Sequence, residues 1–490
     1  MGLRVLKGGI AWSLPLGAIM VPLAGLFLSF PSAFSSMGDL FKEKDFLQAF
    51  SNSLQIGVFT SLFSTALGLS LALTVSKIAL PFRRTLGLVL TLPLFFLPYQ
   101  FALGWSYLLP NSLSKFLFSR AGVVFVLAGC FYPVVFWLTA AALSSVAKEE
   151  EESALLLASP LRVLTGITLP RARAGIMTGA LLVFLLSFSE LGVPTYFGIN
   201  SVSYQVLVRF SAFYNMKAGV AASFPLLGVG IVILVLEYTF LKRGTGFFSS
   251  SRGGLQFSSP GLKVPGLLLA LGIIFVYLFL PFLGLFREAL DLKTSYIALS
   301  RAGGSLLRTL LYSSAAGLVA ALWAMLFARK PFPAYSLVLL LGFLMPPASL
   351  AVGVMGSWGR LSFLYSSGIV LVFALVGRYY FLAFKVMEAS YRHLDPSGEE
   401  AAVMAGASSP KVFSKITFPS LRRWAAVAFL LVFVFSSNEL GLSSMLYPPG
   451  GEPLVVRLYT LSVNNPPAVL SSLSLANSFI SLLAVILLLR

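Results

Sequence analysis

Residues 167–192 read ITLPRARAGIMTGALLVFLLSFSELG, and residues 416–441 read ITFPSLRRWAAVAFLLVFVFSSNELG. Each stretch begins with Ile-Thr and a nearby proline, carries two arginines, continues through an apolar run and closes on Glu-Leu-Gly. The apolar run suits a helix that crosses a bilayer, because ~20 residues rising ~1.5 Å each cover ~30 Å of hydrocarbon. The constant separation of the two stretches indicates that the sequence is duplicated.

Composition places the whole chain in the membrane. Of its 490 residues 58% are hydrophobic and only 11% are charged, so a soluble chain of this kind could not cover its surface with polar groups. Long runs that are apolar on all sides recur throughout, which disfavours the alternating strands of a β-barrel. We therefore predict an all-α polytopic membrane protein.

The apolar runs predict about twelve transmembrane helices, arranged as two parallel six-helix repeats. The predicted spans are 10–30, 54–76, 86–109, 122–146, 174–194, 219–241, 265–286, 309–328, 335–358, 367–387, 424–446 and 468–489. The shift that aligns the two opening stretches also aligns Pro98 and Gly104 with Pro347 and Gly353. We expect a first unit over 1–241, a Gly/Ser-rich cytoplasmic linker over 242–264 and a second unit over 265–490.

The net charge of +18 follows from basic residues that lie mostly between the apolar runs. It therefore reflects topology, and we expect no nucleic acid partner. Lysines and arginines concentrate on the cytoplasmic side of membrane proteins, and a layout with the N-terminus inside places most of them there. Both termini are then cytoplasmic. An even number of spans per unit gives both units the same orientation.

Residues for catalysis or metal binding are scarce. The chain has one cysteine, Cys130, and one histidine, His393, so an internal disulfide, a histidine or cysteine metal site and a histidine-based triad are excluded. No P-loop of the form GxxxxGK[ST] is present to hold nucleotide phosphates. We expect no catalytic residue and no cofactor, and a membrane-embedded enzyme finds no support.

The loops after the fourth and tenth predicted spans share a second pattern. Residues 151–170 read EESALLLASPLRVLTGITLP, and residues 400–419 read EAAVMAGASSPKVFSKITFP. Acidic residues followed by Ala, Leu and Met favour a short helix. Gly406 permits a sharp turn, and we expect Pro419 to end a second short segment that carries Phe413 and Ile416. Each loop is thus predicted to form a helix–turn–helix elbow.

These loops resemble the EAA loop of permease subunits in binding-protein-dependent ABC importers, in which Glu-Ala-Ala precedes a Gly-Ala pair and Ile-x-Leu-Pro. The resemblance covers both loops, 148–173 and 395–423, and implies a type I importer permease fold. The matching residues are Glu151, Ala158, Ser159 and Pro170 in the first loop and Glu400, Ala401, Gly406, Ala407, Ser408 and Pro419 in the second. Leu157 stands where the second loop has Gly406, so the first turn is expected to be less tight or its docking weaker.

The family resemblance also implies the partners. In such importers the loops dock on a separate ATP-binding subunit, which is a homodimer, and a periplasmic or lipid-anchored solute-binding protein delivers the solute. The chain is then a transporter subunit of the inner membrane, in contact with the lipid bilayer, and ATP is hydrolysed by another polypeptide.

Three charged residues are predicted to lie within the bilayer, where an ionised group costs at least ~2.5–3.5 kcal/mol. Glu190 and Glu439 occupy the matched Glu-Leu-Gly sequences. Arg378 lies in the tenth span, and the repeat aligns it with Gly129 of the first unit. They are candidates for a polar pathway lining or for structural ion pairs, and Arg378 is a candidate partner of Glu439. Prolines interrupt the third and ninth spans, at Pro93 and Pro98 and at Pro346 and Pro347.

A single chain that holds both permease halves resembles the ferric-iron, thiamine, phosphonate and polyamine group of importers. ELGVPTYF at 190–197 and NELGLSSMLYPPGGEPLVVRLYTL at 438–461 are most similar to the ferric-iron branch. The alternative is an ATP-independent secondary transporter, which would also have parallel halves but no need of duplicated docking loops.

Overall fold

The computed structural model describes residues 2–243, 260–329, 333–358, 363 and 366–489. These residues form helices and connecting segments without a β-strand, which confirms the all-α class. The predicted linker at 242–264 lies largely outside the described residues, as does Arg490.

The helices up to residue 243 are α1 (Gly2–Leu40), α2 (Lys44–Lys77), α3 (Arg83–Thr91), α4 (Pro98–Leu108), α5 (Asn111–Leu117), α6 (Arg120–Ser144), α7 (Lys148–Leu155), α8 (Pro160–Phe188), α9 (Gly192–Tyr196), α10 (Val202–Ser211) and α11 (Met216–Arg243). The helices after residue 260 are α12 (Gly261–Ala289), α13 (Leu292–Phe327), α14 (Pro333–Leu344), α15 (Pro347–Trp358), α16 (Ile369–His393), α17 (Ser397–Met404), α18 (Ser409–Ser437), α19 (Leu440–Leu446), α20 (Leu454–Leu461) and α21 (Pro467–Leu489).

Within the described residues, nine helices are long and apolar enough to cross a membrane: α2, α6, α8, α11, α12, α13, α16, α18 and α21. Two bent pairs raise this number to eleven if each pair is one span. In α1 the described apolar part is Leu16–Ser29, and the beginning of the predicted span 10–30 lies outside the described side chains. The polytopic class is confirmed, and the count of twelve stays a prediction.

The outer faces of the long helices carry apolar side chains, as lipid contact requires. On α13 exposed leucines recur at intervals of four or seven residues, which places them along one face. The series is Leu307, Leu311, Leu318, Leu322 and Leu326. In water such a stripe would cause aggregation, whereas lipid tails solvate it.

The third and ninth predicted spans are broken, and proline is the cause. The axis of α3 and its following 3₁₀ turn, Leu92–Phe95, meets α4 at 93°, and α14 meets α15 at 105°. Pro98 and Pro347 each begin the second helix of a pair. A proline suits the first helical position, but it holds the preceding residue in extended backbone, and Leu97 has φ −65° and ψ 125°.

Helix boundaries repeat along the chain at the spacing of the sequence match. Both α7 and α17 have eight residues, and α17 begins 249 positions after α7, at Ser397 instead of Lys148. The pairs α6 with α16 and α8 with α18 repeat at the same spacing. The sequence repeat therefore corresponds to a repeat of helices.

A glycine contact recurs in both halves of the sequence. Gly104 on α4 lies directly against Pro281 and Gly284 of α12, so close that a Cβ atom on Gly104 would overlap the Pro281 carbonyl. In the same way Gly353 on α15 lies against Pro22 and Gly25 of α1. Small residues let helix backbones approach closely in lipid, where apolar burial alone provides no attraction between helices.

The chain forms two compact units. One consists of Met1–Phe34, Ser300–Thr460 and Ala476–Arg490, and the other consists of Ser35–Leu299 and Leu461–Leu475. The N-terminal part of α1 therefore packs with helices of the second sequence half, and α12 packs with helices of the first. The sequence-based domains, 1–241 and 265–490, follow the repeat along the chain and stay a prediction.

Candidate functional site

The first elbow, residues 148–173, is held by a buried carboxylate. Glu151 on α7 places its two carboxylate oxygens 2.6 and 2.7 Å from Nζ of Lys77, the last residue of α2. The Oγ1 hydroxyl of Thr168 on α8 donates to the same carboxylate at 2.7 Å. All three side chains are buried. The contacts tie α7 to both neighbouring long helices.

The second elbow, residues 395–423, repeats this arrangement with Glu399. Its carboxylate accepts hydrogen bonds from Thr417 Oγ1 on α18 and from Arg329 Nη2, just beyond α13, both at 2.5 Å. Glu400, which aligns with Glu151 in sequence, is exposed. Sequence reasoning did not identify Glu399, Lys77 or Arg329. The sequence did contain one signal for these contacts: a basic residue directly follows the second and the eighth predicted span, and these residues are Lys77 and Arg329.

The two basic–Glu–Thr contacts differ in solvent exposure. The side chain of Lys77 is 7% exposed, whereas that of Arg329 is 52% exposed. Removing one partner of a buried ion pair costs about 3–5 kcal/mol, because the other charge is left unpaired, and water screens an exposed charge. The first elbow is therefore the more firmly held of the two.

The turns of the elbows differ as the sequence predicts. Gly406 has φ +83°, its N–H donates to the Val403 carbonyl, and the N–H of Ala407 donates to the Ala402 carbonyl, each at 3.0 Å. This is the Schellman ending of a helix, and its left-handed residue is usually glycine. Leu157 has no positive φ, and its N–H donates to the Ala154 carbonyl at 3.1 Å.

The remaining elbow residues predicted from the sequence lie around these turns. Ser159 and Ser408 are the extended residues that precede α8 and α18, and Ala158 and Ala407 are half-buried beside them. Ala401 is exposed on α17. The structure thus brings Glu151 against Thr168 and Lys77, and it leaves Glu400 and Ala401 on the surface.

The expectation that Pro419 ends a short segment is wrong. The helix that starts at Ser409 continues to Ser437, and the one that starts at Pro160 continues to Phe188 through Pro170. A π-helical turn precedes each proline, at Phe413–Thr417 and Leu164–Thr168, and in it the N–H of Phe418 donates to the carbonyl of Phe413. The wider turn accommodates a residue that lacks an N–H and would clash in a regular α-helix. The elbow is thus continuous with the long helix.

The tip of each elbow presents apolar side chains to its surroundings. Leu157 is 91% exposed in the first elbow and Met404 is 88% exposed in the second. Leu156 and Leu161 extend the first surface, and Val403 extends the second. Leucine and methionine held outward beside acidic residues suit a docking surface for a protein partner.

Asp395 organises the start of the second elbow. Its carboxylate accepts hydrogen bonds from the backbone N–H and the hydroxyl of Ser397, at 3.0 and 2.8 Å. These bonds hold the pKa of the Asp395 carboxyl below its ordinary value, so the group stays ionised to a lower pH than a free aspartate does. A negative charge at this end of α17 is favourable, because the first backbone N–H groups of a helix lack partners.

A second polar cluster lies where α18 ends. Glu439 forms an ion pair with Arg378 of α16, with Nε and Oε2 3.2 Å apart, as the sequence predicts. The Tyr379 hydroxyl also donates to this carboxylate, and the other oxygen accepts the Leu442 N–H at the start of α19 at 3.1 Å. Arg378 in turn donates to the Met345 carbonyl at 3.0 Å.

The carbonyl that Arg378 contacts belongs to the break between α14 and α15. A carbonyl freed by a helix break needs a new partner in lipid, since water is absent there. Arg378 therefore joins three features: the proline break, the tenth predicted span and the Glu-Leu-Gly turn. This position of Arg378 fits a structural role as well as a pathway lining.

The first sequence half has a different arrangement at the matching place. The half-buried Glu190 accepts the Gly192 N–H at 3.0 Å, in the turn after α8. Gly129 occupies the position that corresponds to Arg378, and the ring of Tyr277 from α12 lies directly on it, leaving no room for a side chain. An aromatic ring thus takes the place of the arginine.

In the described part of the chain, no group of three or more His, Cys, Asp or Glu side chains could hold a metal ion. The clusters found are single carboxylates, each bonded to one basic side chain and one hydroxyl group, and these contacts position helices.

The comparisons with known proteins agree with the resemblance read from the loops. A ferric transport system permease protein of Actinobacillus pleuropneumoniae is 24% identical over 466 residues, 85% of this chain and 66% of that protein. A provisionally named ferric transport permease of Haemophilus influenzae is 25% identical over 84% of this chain and 72% of its own length. No family model matches the chain.

A shorter but more similar match covers part of the chain. A protein of Salmonella choleraesuis, provisionally named a 2-aminoethylphosphonate transport system permease, is 30% identical over 185 residues. The match spans 34% of this chain and 65% of the Salmonella protein, just under two thirds of its length. The recognition of relatives among ABC importer permeases is therefore confirmed.

Proposed function

Starting from a multi-pass chain whose relatives are transport-system permeases, we propose that it is the membrane subunit of an ATP-driven importer. A solute-binding protein, periplasmic or lipid-anchored, delivers the solute, and the chain passes it across the inner membrane. A separate ATP-binding subunit, a homodimer, supplies the energy through the two elbows. The termini and both elbows are cytoplasmic in this proposal.

The observation that carries the proposal is the duplicated basic–Glu–Thr contact. In each elbow an exposed apolar tip is joined through one buried carboxylate to two long helices, by Lys77 and Thr168 or by Arg329 and Thr417. A partner that displaces the tip therefore moves both helices, because the linkage is short and, in the first elbow, is a buried ion pair. An ordinary connecting loop would not need this linkage twice.

The proposed coupling residues are those that match the importer motif, together with the buried pairs found in the structure. They are Glu151, Ala158, Ser159 and Pro170 in the first elbow, and Glu400, Ala401, Gly406, Ala407, Ser408 and Pro419 in the second. Glu399 joins this set, since it makes the contact in the second elbow that Glu151 makes in the first.

Ferric iron is the first proposed solute, supported by relatives that align over 85% and 84% of the chain. A phosphonate such as 2-aminoethylphosphonate is the second, supported by the match of higher identity. Thiamine and polyamines belong to the same group of importers. Glu190, Glu439 and Arg378 are proposed pathway residues, although the contacts of Arg378 and Glu439 favour a structural pair.

The decisive experiment is co-purification of the chain with the ATP-binding subunit from native membranes. We expect the subunit to be lost when Glu400 and Gly406 are both replaced by leucine, and to be retained when the exposed Lys115 and Lys217, which lie outside both elbows, are replaced by leucine. Retention in both cases, or uptake that persists without any ATPase, would point to a secondary transporter instead.

The solute is tested by uptake of radioactive ferric iron and of 2-aminoethylphosphonate in cells that express the complete system. Orientation is tested with single cysteines in a Cys130→Ser background. A cysteine at Ser397 should react with a membrane-impermeant maleimide only after the membrane is opened. A cysteine at Tyr214, on the opposite side of the predicted layout, should react in intact spheroplasts.

A further inference from the structure

A cavity of about 450 Å³ opens between the ends of α2 and α6 and the start of α3. Its walls combine Lys77, Arg83 and Arg84 with the aromatic side chains of Phe136 and Trp137. This volume falls within the ~300–1,000 Å³ typical of small-ligand sites. Because α2 and α6 are membrane spans, their ends lie near the depth of the lipid headgroups.

The cavity carries positive charge that the protein does not neutralise. Lys77 is paired with Glu151, but Arg83 and Arg84 form no salt bridge within the described part of the chain. None of the residues that line the cavity is acidic. Two arginines on one wall therefore give the cavity a positive charge that suits an anion from outside the chain, and a guanidinium binds phosphate oxygens in a two-pronged geometry.

Backbone donors lie beside the arginines. Arg83 and Arg84 are the first two residues of α3, and no side chain caps this nine-residue helix. The preceding Phe82 has φ +53°, and its ring is exposed next to the arginines. The first N–H groups of a helix are without intrahelical partners and favour phosphate.

The remaining walls suit the acyl side of a lipid. Trp137 is half-exposed, and its indole N–H donates to Thr91 Oγ1 at 2.7 Å, which fixes the orientation of the ring. Tryptophan is enriched at the boundary between hydrocarbon and headgroups. A site that combines guanidinium groups with aromatic rings matches a phosphate that is attached to an acyl chain.

We infer that this cavity binds the headgroup of an anionic phospholipid, with the phosphate at Arg83 and Arg84. The lipid then lies beside Lys77, one contact away from Glu151 of the first elbow. The inference rests on the membrane location of the chain and is independent of the transported solute. A soluble phosphate compound shares the same chemistry and is separated from lipid by the experiment.

The test is native mass spectrometry of the full chain, purified in detergent and supplied with equal amounts of phosphatidylglycerol and phosphatidylcholine. We expect the protein to retain phosphatidylglycerol preferentially. The variant Arg83→Gln/Arg84→Gln should lower this retention about 25-fold, from roughly fivefold per basic residue near an anionic surface. The control variant Arg422→Gln/Arg423→Gln removes the same amount of charge from two adjacent, exposed arginines that do not line the cavity. We expect this variant to retain the lipid.

Equal retention by the two double variants would overturn the inference, as would equal binding of the two lipids. Displacement of phosphatidylglycerol by millimolar inorganic phosphate would assign the site to a soluble ligand instead. Arg84 is exposed, so Arg84→Gln alone leaves folding intact and should still lower retention about fivefold if the double variant does not fold.

Discussion

The ammonium group of Lys77 lies between the two carboxylate oxygens of Glu151, at 2.6 and 2.7 Å, with both side chains almost completely buried. One residue ends a membrane span and the other belongs to a short surface helix. Their contact makes the position of the first elbow dependent on the position of α2. A corresponding but more exposed contact between Arg329 and Glu399 links the second elbow to the end of α13.

Replacing Glu151 by Gln should destabilise the protein by about 3–5 kcal/mol, because Lys77 remains buried without a counter-charge. The measurement is the midpoint of thermal unfolding in detergent. Glu152→Gln is the matched control, since Glu152 pairs with Lys148 at the surface and its loss should change stability by no more than about 0.5 kcal/mol. Identical midpoints for the two variants would show that the buried pair does not hold the elbow.

Glu399 and Glu400 are adjacent but should respond differently. Glu399→Gln removes the charge that faces Arg329 and Thr417 and should lower the unfolding midpoint. Glu400→Gln changes an exposed residue and should leave the midpoint unchanged while weakening co-purification of the ATP-binding subunit. The prediction fails if Glu400→Gln destabilises the chain more than Glu399→Gln does.

Gly406→Ala should cost about 1–2 kcal/mol, because alanine at φ +83° brings its Cβ atom against the following carbonyl. Gly166→Ala is the control: Gly166 lies in the first elbow, has no positive φ and has open space where a Cβ would be. We expect this control to be neutral or slightly stabilising. A comparable loss for both variants in thermal unfolding would contradict the Schellman ending.

Gly129→Ala should destabilise the protein by about 1–3 kcal/mol, the usual cost of inserting an atom into a packed interior, because the new Cβ overlaps the ring of Tyr277. Gly272→Ala, on the same helix as Tyr277 but with open space around it, should have little effect. The double variant Gly129→Ala/Tyr277→Ala should be more stable than the sum of the single changes predicts. Simple additivity would argue against the contact.

Arg378→Leu should be strongly destabilising, by about 3–5 kcal/mol, since it leaves the buried Glu439 carboxylate without its partner. The double variant Arg378→Leu/Glu439→Gln removes both charges, and its glutamine oxygen can still accept the Leu442 N–H. We expect it to recover most of the lost stability. If it also restores solute uptake, the pair is structural, whereas stable protein without uptake would favour the pathway role.

Some local features of the sites could be predicted from the sequence, and others could not. The pairing of Arg378 with Glu439 and the turn at Gly406 could be predicted, because intramembrane charges need partners and a glycine after a helical segment favours a left-handed ending. Glu399 could not be identified, because successive helix residues point about 100° apart. An alignment of the two loop sequences does not reveal which of two adjacent glutamates faces inward.

Other features were not predictable from the residue pattern, either because no local signal exists or because they depend on distant parts of the chain. The continuation of the helix through Pro170 and Pro419 requires a π-helical turn, which no spacing of residue types in these stretches indicates. Similarly, Gly104 and Gly353 matched each other in the sequence, but their partners Pro281 and Pro22 come from the other half of the chain. The sequence match predicts the repeat of helices, but it does not predict which helix packs into which compact unit.

The exchange of first helices sets an order for biosynthesis. Residues up to Phe34 leave the ribosome first, yet the segment that they pack against begins at Ser300. The helices synthesised in between pack with α12, which is made after them. Gly104, for example, has no partner until Pro281 and Gly284 of α12 have been synthesised. The first half can therefore not mature before α12 has been synthesised, whereas α1 is already present when the second half is made. A covalent tether between the halves keeps the waiting helices at a high effective concentration, and two separate polypeptides of this design would have to find each other in the bilayer first.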